Sequence, residues 1–208
     1  MSKASISAAP RHRKGTAVGE KGRLSADAVL NAAAHLLAQD GYASLSLRKI
    51  AQAAGMRLGH VQYYFPAKLD IVHGILERYL QRSTERIRER MAAGLEGSEG
   101  ALQSAIETVL VDQESAEDCA MFREIWALAT HDPGVKEAVH RFYLQYRAQV
   151  RAILLQLSPK LDKSRADQRA MILVATLEGL SLLRGSDRAS KRAGLAREVT
   201  LLAQSMLR

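Results

Sequence analysis

Few groupings in this chain have the residue types and spacing to do chemistry. Glu137 and His140 stand at the E-x-x-H spacing with which carboxylate-bridged di-iron bundles hold metal. Such a centre needs a second pair and further carboxylates, and the nearest other candidate, Asp70 with His73, brings the wrong acid. Cys119 is the sole cysteine, so it has neither a disulfide partner nor a C-x-x-C companion for redox work. No G-x-S-x-G, Walker A or H-E-x-x-H run occurs, so no enzyme and no cofactor is expected. The segment Ser46 to Lys68, SLRKIAQAAGMRLGHVQYYFPAK, offers a different chemistry. Ser46 can cap a helix whose apolar residues are Leu47, Ile50, Ala51 and Ala54. Gly55 supplies the positive φ of a tight turn, a short second helix follows, and Pro66 disfavours helix at Phe65. Two short helices joined through such a turn make a helix-turn-helix, which seats its second helix in a DNA major groove.

The charge agrees with that use. Residues 1–93 hold 15 Lys and Arg against 7 Asp and Glu, whereas residues 94–208 hold 15 of each. The whole net charge of +8 therefore lies in the half that carries the motif, as expected of a module for a polyanion followed by a neutral body. Apolar content of 47% suffices for a sizeable core. The longest apolar run, Met171 to Leu177, is far short of the roughly 20 residues of a membrane helix. With no signal-peptide region and one cysteine, a reducing cytoplasm is the expected setting, and no membrane partner is expected.

Helical periodicity then organises the rest. Residues 1–23, rich in Ser, Ala, Gly, Arg and Lys, read as a disordered basic arm that adds phosphate or minor-groove contacts, although their composition also suits an organellar transit peptide. A first helix is expected from Ala26 to Asp40, capped by Ser25, helped by Asp27 and ended by Gly41, with Val29, Ala33, Leu36 and Leu37 inward. After the motif, Lys68 to Met91 reads as a long helix burying Val72, Ile75, Leu76, Tyr79, Leu80 and Ile87, its end from Arg78 to Arg90 reading as a solvated face. Gly94, Gly97 and Gly100, with Ser98 as a cap, mark a break. Five further helices are expected, at 99–114, 117–131, 132–157 (opened by Asp132-Pro133), 165–184 and 191–207, the last capped by Ser190. The result is an all-α chain of about nine helices, with a three-helix DNA-binding domain at 24–70 and a six-helix body at 71–208. Residues 165–184 are apolar nearly all round, so they are either central to the body or shared with a second subunit in a four-helix bundle.

The order of elements and the marks Gly41-Tyr42, Ser46, Arg48, Ile50-Ala51, Ala54-Gly55-Met56, Gly59, Tyr63-Tyr64-Phe65 and Lys68 resemble the TetR family of bacterial transcriptional regulators. The resemblance is strong over about residues 24–70 and architectural beyond it. It implies a homodimer, paired through the helices at 165–184 and 191–207, on a pseudo-palindromic double-stranded DNA operator. Ser46 would then hold a phosphate, and Arg48 would reach a base or phosphate. Arg57, Leu58, His60 and Gln62 would face the groove, with Gln62 suited to adenine and Leu58 to a thymine methyl. Tyr63, Tyr64 and Lys68 would anchor the DNA backbone, while Val61 and Phe65 would be core. Arg57, His60 and Gln62 depart from the Ser or Thr, small residue and Tyr common in the family, so the operator sequence cannot be borrowed from relatives.

The same resemblance implies an effector pocket in the body. Phe122, Trp126, Tyr143, Tyr146 and Met171 are candidates to line it, with Glu178 as a buried polar contact. Each aromatic could equally be ordinary core, and Glu178 could face water at a helix edge. No cluster of charge is visible in the body, so the expected ligand is a small apolar or amphipathic molecule, and the expected function is a repressor that this ligand releases. An activating or architectural DNA-binding factor without an effector, or a helical metal enzyme using Glu137 and His140, are the alternatives.

Overall fold

The computed structural model describes residues 19–92, 97–186 and 194–207. Among these, the backbone forms nine helices and no strand: α1 (Glu20–Ser44), α2 (Leu47–Ala53), α3 (Leu58–Tyr64), α4 (Lys68–Ala92), α5 (Gly97–Asp112), α6 (Ala116–Ala129), α7 (Pro133–Leu157), α8 (Lys163–Ser186) and α9 (Leu195–Ser205). The all-α expectation holds.

Several ends follow from caps visible in the sequence. The Asp132 carboxylate accepts from the N–H groups of Gly134 and Val135 at 2.8 and 3.0 Å, with Pro133 opening α7. Ser46 Oγ accepts from Lys49 N at 3.2 Å and starts α2. Gly41 leaves the helical region at φ 71°, and Gly55 turns the chain between α2 and α3 at φ 64°.

Other expectations need correction. α1 begins at Glu20, inside the stretch read as a disordered arm, and Ser25 lies within the helix instead of capping it. Glu20 favours the positive end of a helix, and Leu24 and Ala26 are good helix formers, so α1 starts ahead of its apolar stripe. Asp27 accordingly sits away from the first turn, where Arg78 bonds its carboxylate and carbonyl at 3.2 and 2.9 Å. The far end of α4 is no simple solvated face either. Arg78 is only 16% exposed, and Arg86 pairs with the buried carboxylate of Asp112 at 2.6 Å. Gly97, Ser98 and Gly100 lie within α5. The arm at 1–18, Gly94 and Ser190 fall outside the described residues.

Two apolar cores hold the helices. The first joins Val29, Ala33 and Leu37 of α1, Ile50 of α2 and Val61 of α3 to Val72 and Ile75 of α4, Met121 and Ile125 of α6 and Val135 of α7. The second joins Leu102 and Ile106 of α5, Leu154 of α7, Leu173 and Leu177 of α8 and Val199 and Ala203 of α9. The first core runs without interruption from the helix-turn-helix into α6 and α7, so the motif is packed onto the body and not tethered to it.

Candidate nucleic-acid interface and the cavity of the body

Val61 has no exposed surface and fixes the rotation of α3. At ~100° per residue, Gly59 and Tyr63 then point directly away from the core, and His60 and Gln62 flank them. Exposure agrees: Gly59, His60 and Gln62 are exposed, and Tyr63 is 80% exposed. The same rotation brings Leu58 and Tyr64 to the sides of the helix, where both are half-buried. Leu58 packs on the first core, which corrects its expected place on the reading face. Arg57 is exposed and precedes α3 with no side-chain capping bond, while Phe65 packs against the core as expected. Tyr64 is held between His60, ring centroids 5.3 Å apart, and Tyr63, 5.2 Å apart and edge-on.

On α2, burial of Ile50 and Ala51 leaves Arg48 outward. Lys49 is exposed beside it, a second cation that neither periodicity nor capping singles out in the sequence. Gly59, one of the marks of the family resemblance, is also turned outward by the rotation of α3. Lys68 differs most from expectation. Its ammonium donates to the carbonyls of Leu45 at 2.9 Å and Tyr42 at 3.3 Å and lies 4.0 Å from the centroid of the Tyr42 ring. Burial lowers its pKa. Lys68 is thus a clamp that ties the start of α4 to the chain entering α2, not a free anchor, although an ammonium has a third N–H to offer. The exposed polar and basic groups, all on one helix pair, can bond phosphates and base edges.

A cavity of about 30 Å³ lies in the body. Tyr79 of α4, Phe122 of α6 and Phe142 of α7 form its aromatic wall. Tyr79 meets Phe122 edge-on at 4.6 Å, and Phe122 meets Phe142 at 5.8 Å. Asp112 of α5, Asp118 of α6 and Glu178 of α8 line the same space, with Gln113 from the α5–α6 connection. A second space of about 20 Å³ adjoins it, sharing Phe122 and Glu178 and adding Trp126 and Arg123. Three of the expected pocket residues, Phe122, Trp126 and Glu178, therefore line it. Tyr143 stands behind Glu178 and donates its hydroxyl to Oε2 at 2.8 Å, and Tyr146 is buried against Phe142. Met171 is 56% exposed and lies outside both spaces, because α8 turns that face away from the body. The three carboxylates also correct the expectation of no charge cluster: α8 brings Glu178 to Asp112 and Asp118, which lie either side of the α5–α6 connection.

Burial raises the Glu178 carboxyl above its usual range, against the lowering effect of the Tyr143 hydrogen bond. Burial also raises Asp118, with Glu117 and Asp112 adding to the rise while Ser115 and Arg86 oppose it. The hydroxyls of Tyr79, Tyr143 and Tyr146 are all raised, first by burial and then by neighbouring acidic groups, Glu178 among them in each case. The E-x-x-H pair does not make a metal centre. Glu137 and His140 are exposed on α7, where Glu137 pairs with Arg141 at 3.6 Å. No group of three or more His, Cys, Asp or Glu among the described residues could hold a metal ion. Nor is any helix among them long and apolar enough to cross a membrane.

Comparison with known proteins agrees with both halves. Residues 29–75 match the family described as bacterial regulatory proteins, tetR family. Residues 98–204, about half the chain, match the C-terminal domain described as that of BetI-type transcriptional repressors. The HTH-type transcriptional regulator of the dhlA 5' region of Xanthobacter autotrophicus is 29% identical over 168 residues, covering 79% of this chain and 81% of its own. The HTH-type transcriptional regulator BetI of Pseudomonas aeruginosa (strain LESB58) is 29% identical over 160 residues, covering 74% and 78%. In fold, a TetR-family transcriptional regulator from a Rhodococcus species superposes with a TM-score of 0.73 at 20% identity, over 88% of this chain and 98% of its own. Salmonella enterica GusR gives 0.69 at 22% identity, over 88% and 95%. With the helix-turn-helix and the body both matched, this chain belongs to the TetR family and is a DNA-binding transcriptional regulator.

Proposed function

We propose that the protein is a homodimeric repressor that leaves a pseudo-palindromic operator when a small amphipathic ligand enters the body. The observation that carries this reading is the position of α6. One side of α6 lines the cavity through Asp118 and Phe122. Its other side touches α1, where Glu117 meets His35 at 3.0 Å and Glu124 Oε2 accepts from Tyr42 N at 3.4 Å. Tyr42 lies in the turn that Lys68 clamps, a few residues ahead of α2. A ligand that displaces α6 therefore acts on the base of the reading head. A ligand shifts such an equilibrium only through different affinities for the two arrangements, and a full switch takes ~5.5 kcal/mol.

Pairing through α8 and α9 is supported by their exposed apolar side chains, Met171, Ile172 and Leu182 on α8 with Leu201 and Leu202 on α9. Two copies would present two reading helices to successive major grooves. Ser46, Arg48, Arg57, His60, Gln62, Tyr63 and Tyr64 would then contact DNA, with Gln62 and Arg48 reading bases. The expected outcome is retardation of the DNA flanking its own gene by the dimer; no retardation at low salt by a folded dimer overturns the proposal. The size of the cavity favours one competing reading, a DNA-binding factor without an effector. About 30 Å³ holds roughly one water, against the ~300–1,000 Å³ of common ligand sites. Thermal shifts against small amphipathic molecules separate the two, since a binder raises the melting temperature by mass action.

A further inference from the structure

Three carboxyls and an amide line the body cavity beside the hydroxyls of Tyr79 and Ser181 and the Cys119 thiol; Ser181 Oγ donates to the Glu178 carbonyl and Cys119 Sγ to the Gln113 carbonyl. Asp112 closes α5, Gln113 follows it, Asp118 lies in the first turn of α6, and Glu178 comes across from α8. Gln113 is 8% exposed, and its side-chain N–H donates to the Leu177 carbonyl at 2.9 Å. Its Oε1 is buried with no hydrogen-bond partner. Flipping the amide would set oxygen against the Leu177 carbonyl, so the orientation is fixed and the orphan is the acceptor. Leaving such a group unsatisfied is costly, and an orphan in a cavity wall asks for a donor.

The charges point the same way. Arg86 neutralises Asp112 from the outside, itself half-exposed, and Arg123 is exposed at the outer space. Neither Asp118 nor Glu178 has an ion-pair partner among the described residues. The last carbonyls of α5 add the negative end of a helix dipole, opposed by the positive first turn of α6 that holds Asp118. Tyr79, Phe122 and Phe142 offer ring faces and edges, a setting that attracts a cation and shelters an apolar body. Phe122 lines both small spaces and stands between them and the wall of α6.

We propose that this cavity takes a protonated amine with at least one N–H on a small aromatic or apolar body. The ammonium donates to Gln113 Oε1 and to Asp118 or Glu178, while the body displaces Phe122 and lies among the rings. This rests on the effector-responsive reading given above and narrows it from an amphipathic ligand to a hydrogen-bond-donating cation. Displacement of Phe122 acts on α6, the helix that touches the reading head.

Calorimetric titration of the full chain with four probes that share a phenethyl body tests it: phenethylammonium, phenethyltrimethylammonium, 2-phenylethanol and 3-phenylpropionate. Phenethylammonium should bind about tenfold or more tightly than the alcohol and the trimethyl analogue, the factor one charge-assisted hydrogen bond supplies. Asp118→Asn with Glu178→Gln should remove the preference for ammonium over alcohol. Gln113→Met should remove the preference for primary over trimethylated ammonium; if that variant does not fold, the wild-type series still decides. Equal or tighter binding of the alcohol, the carboxylate or the trimethyl analogue overturns the proposal, as does no binding of phenethylammonium at millimolar concentration. A gel-shift with the same probes keeps the two readings apart. Operator release by the alcohol or carboxylate leaves the effector-responsive reading standing and overturns the ligand class. Tight phenethylammonium binding with no change in operator affinity supports the ligand class and overturns the effector reading.

Discussion

Gly59 separates the demands of folding from those of recognition. It lies inside α3, and a Cβ added there meets nothing within 4 Å. Glycine inside a helix costs about 0.5–1 kcal/mol relative to alanine, so Gly59→Ala should raise the melting temperature of the free protein. The methyl group would nonetheless stand on the face opposite Val61, where the groove must come close. The expected result is a more stable protein that binds its operator more weakly, read by thermal melting and gel-shift on the same sample. If Gly59→Ala binds as well as wild type, α3 does not dock by this face. Gln62→Ala should lose ~1–3 kcal/mol of discrimination at one base position, visible as a relaxed preference in binding-site selection. Lys68→Met should behave differently, because its ammonium holds the carbonyls of Tyr42 and Leu45. Loss of those charge-assisted bonds should lower stability by about 1–3 kcal/mol and weaken binding to all sequences alike.

α6 is the element on which the switching proposal depends. Glu124→Ala removes the acceptor of Tyr42 N while leaving the cavity wall intact. Ligand affinity should be unchanged and ligand-induced release of the operator reduced, measured by titration and gel-shift in parallel. Unchanged release would place the coupling elsewhere. α8 carries a pH signature of its own. Burial raises the Glu178 carboxyl in the folded chain, so the folded state holds that proton more tightly than the unfolded state. Its contribution to stability is therefore greatest in acid, below the usual value of 4.5, and is lost as pH rises from there through the raised folded value. Glu178→Gln removes the titration and should melt higher than wild type at neutral pH, with the advantage vanishing in acid. The helices themselves were legible because caps and spacing are local: Ser46, Asp132-Pro133 and the stripe Leu102, Ile106, Val109, Leu110 all act within a few residues. The start of α1 was not, because Glu20 to Ser25 form helix without burying a stripe. Nor was the acidic cavity, since Asp112, Asp118 and Glu178 meet only once three helices pack. Leu58 was misplaced for a related reason: its neighbour Val61 sets the rotation of α3, and that is settled by the core, not by the motif.

At the scale of the whole molecule, two facts about surface have to be reconciled with one function. The net charge of +8 resides in residues 1–93, the half that carries the reading helix, while residues 94–208 are neutral and expose an apolar face on α8 and α9. A basic head binds DNA by releasing counterions, and each neutralised phosphate steepens the dependence of log K on log salt by about 0.9. One head alone gives modest affinity. Two heads joined through α8 and α9 make the second binding event intramolecular, which strengthens binding by ~10²–10⁴ without a new contact. Ile172 and Leu201 are 51% and 49% exposed, so replacing them spares the interior of the single chain. Ile172→Glu with Leu201→Glu places like charges across the proposed four-helix face and removes apolar area that pairing would bury. Sedimentation should find a folded monomer, with helical content by circular dichroism unchanged. Its salt slope on operator DNA should fall to about half that of wild type, and its affinity should fall by the avidity factor. A variant that stays dimeric, or a monomer that keeps the full slope and affinity, would remove α8 and α9 from the assembly and leave their apolar face in need of another partner.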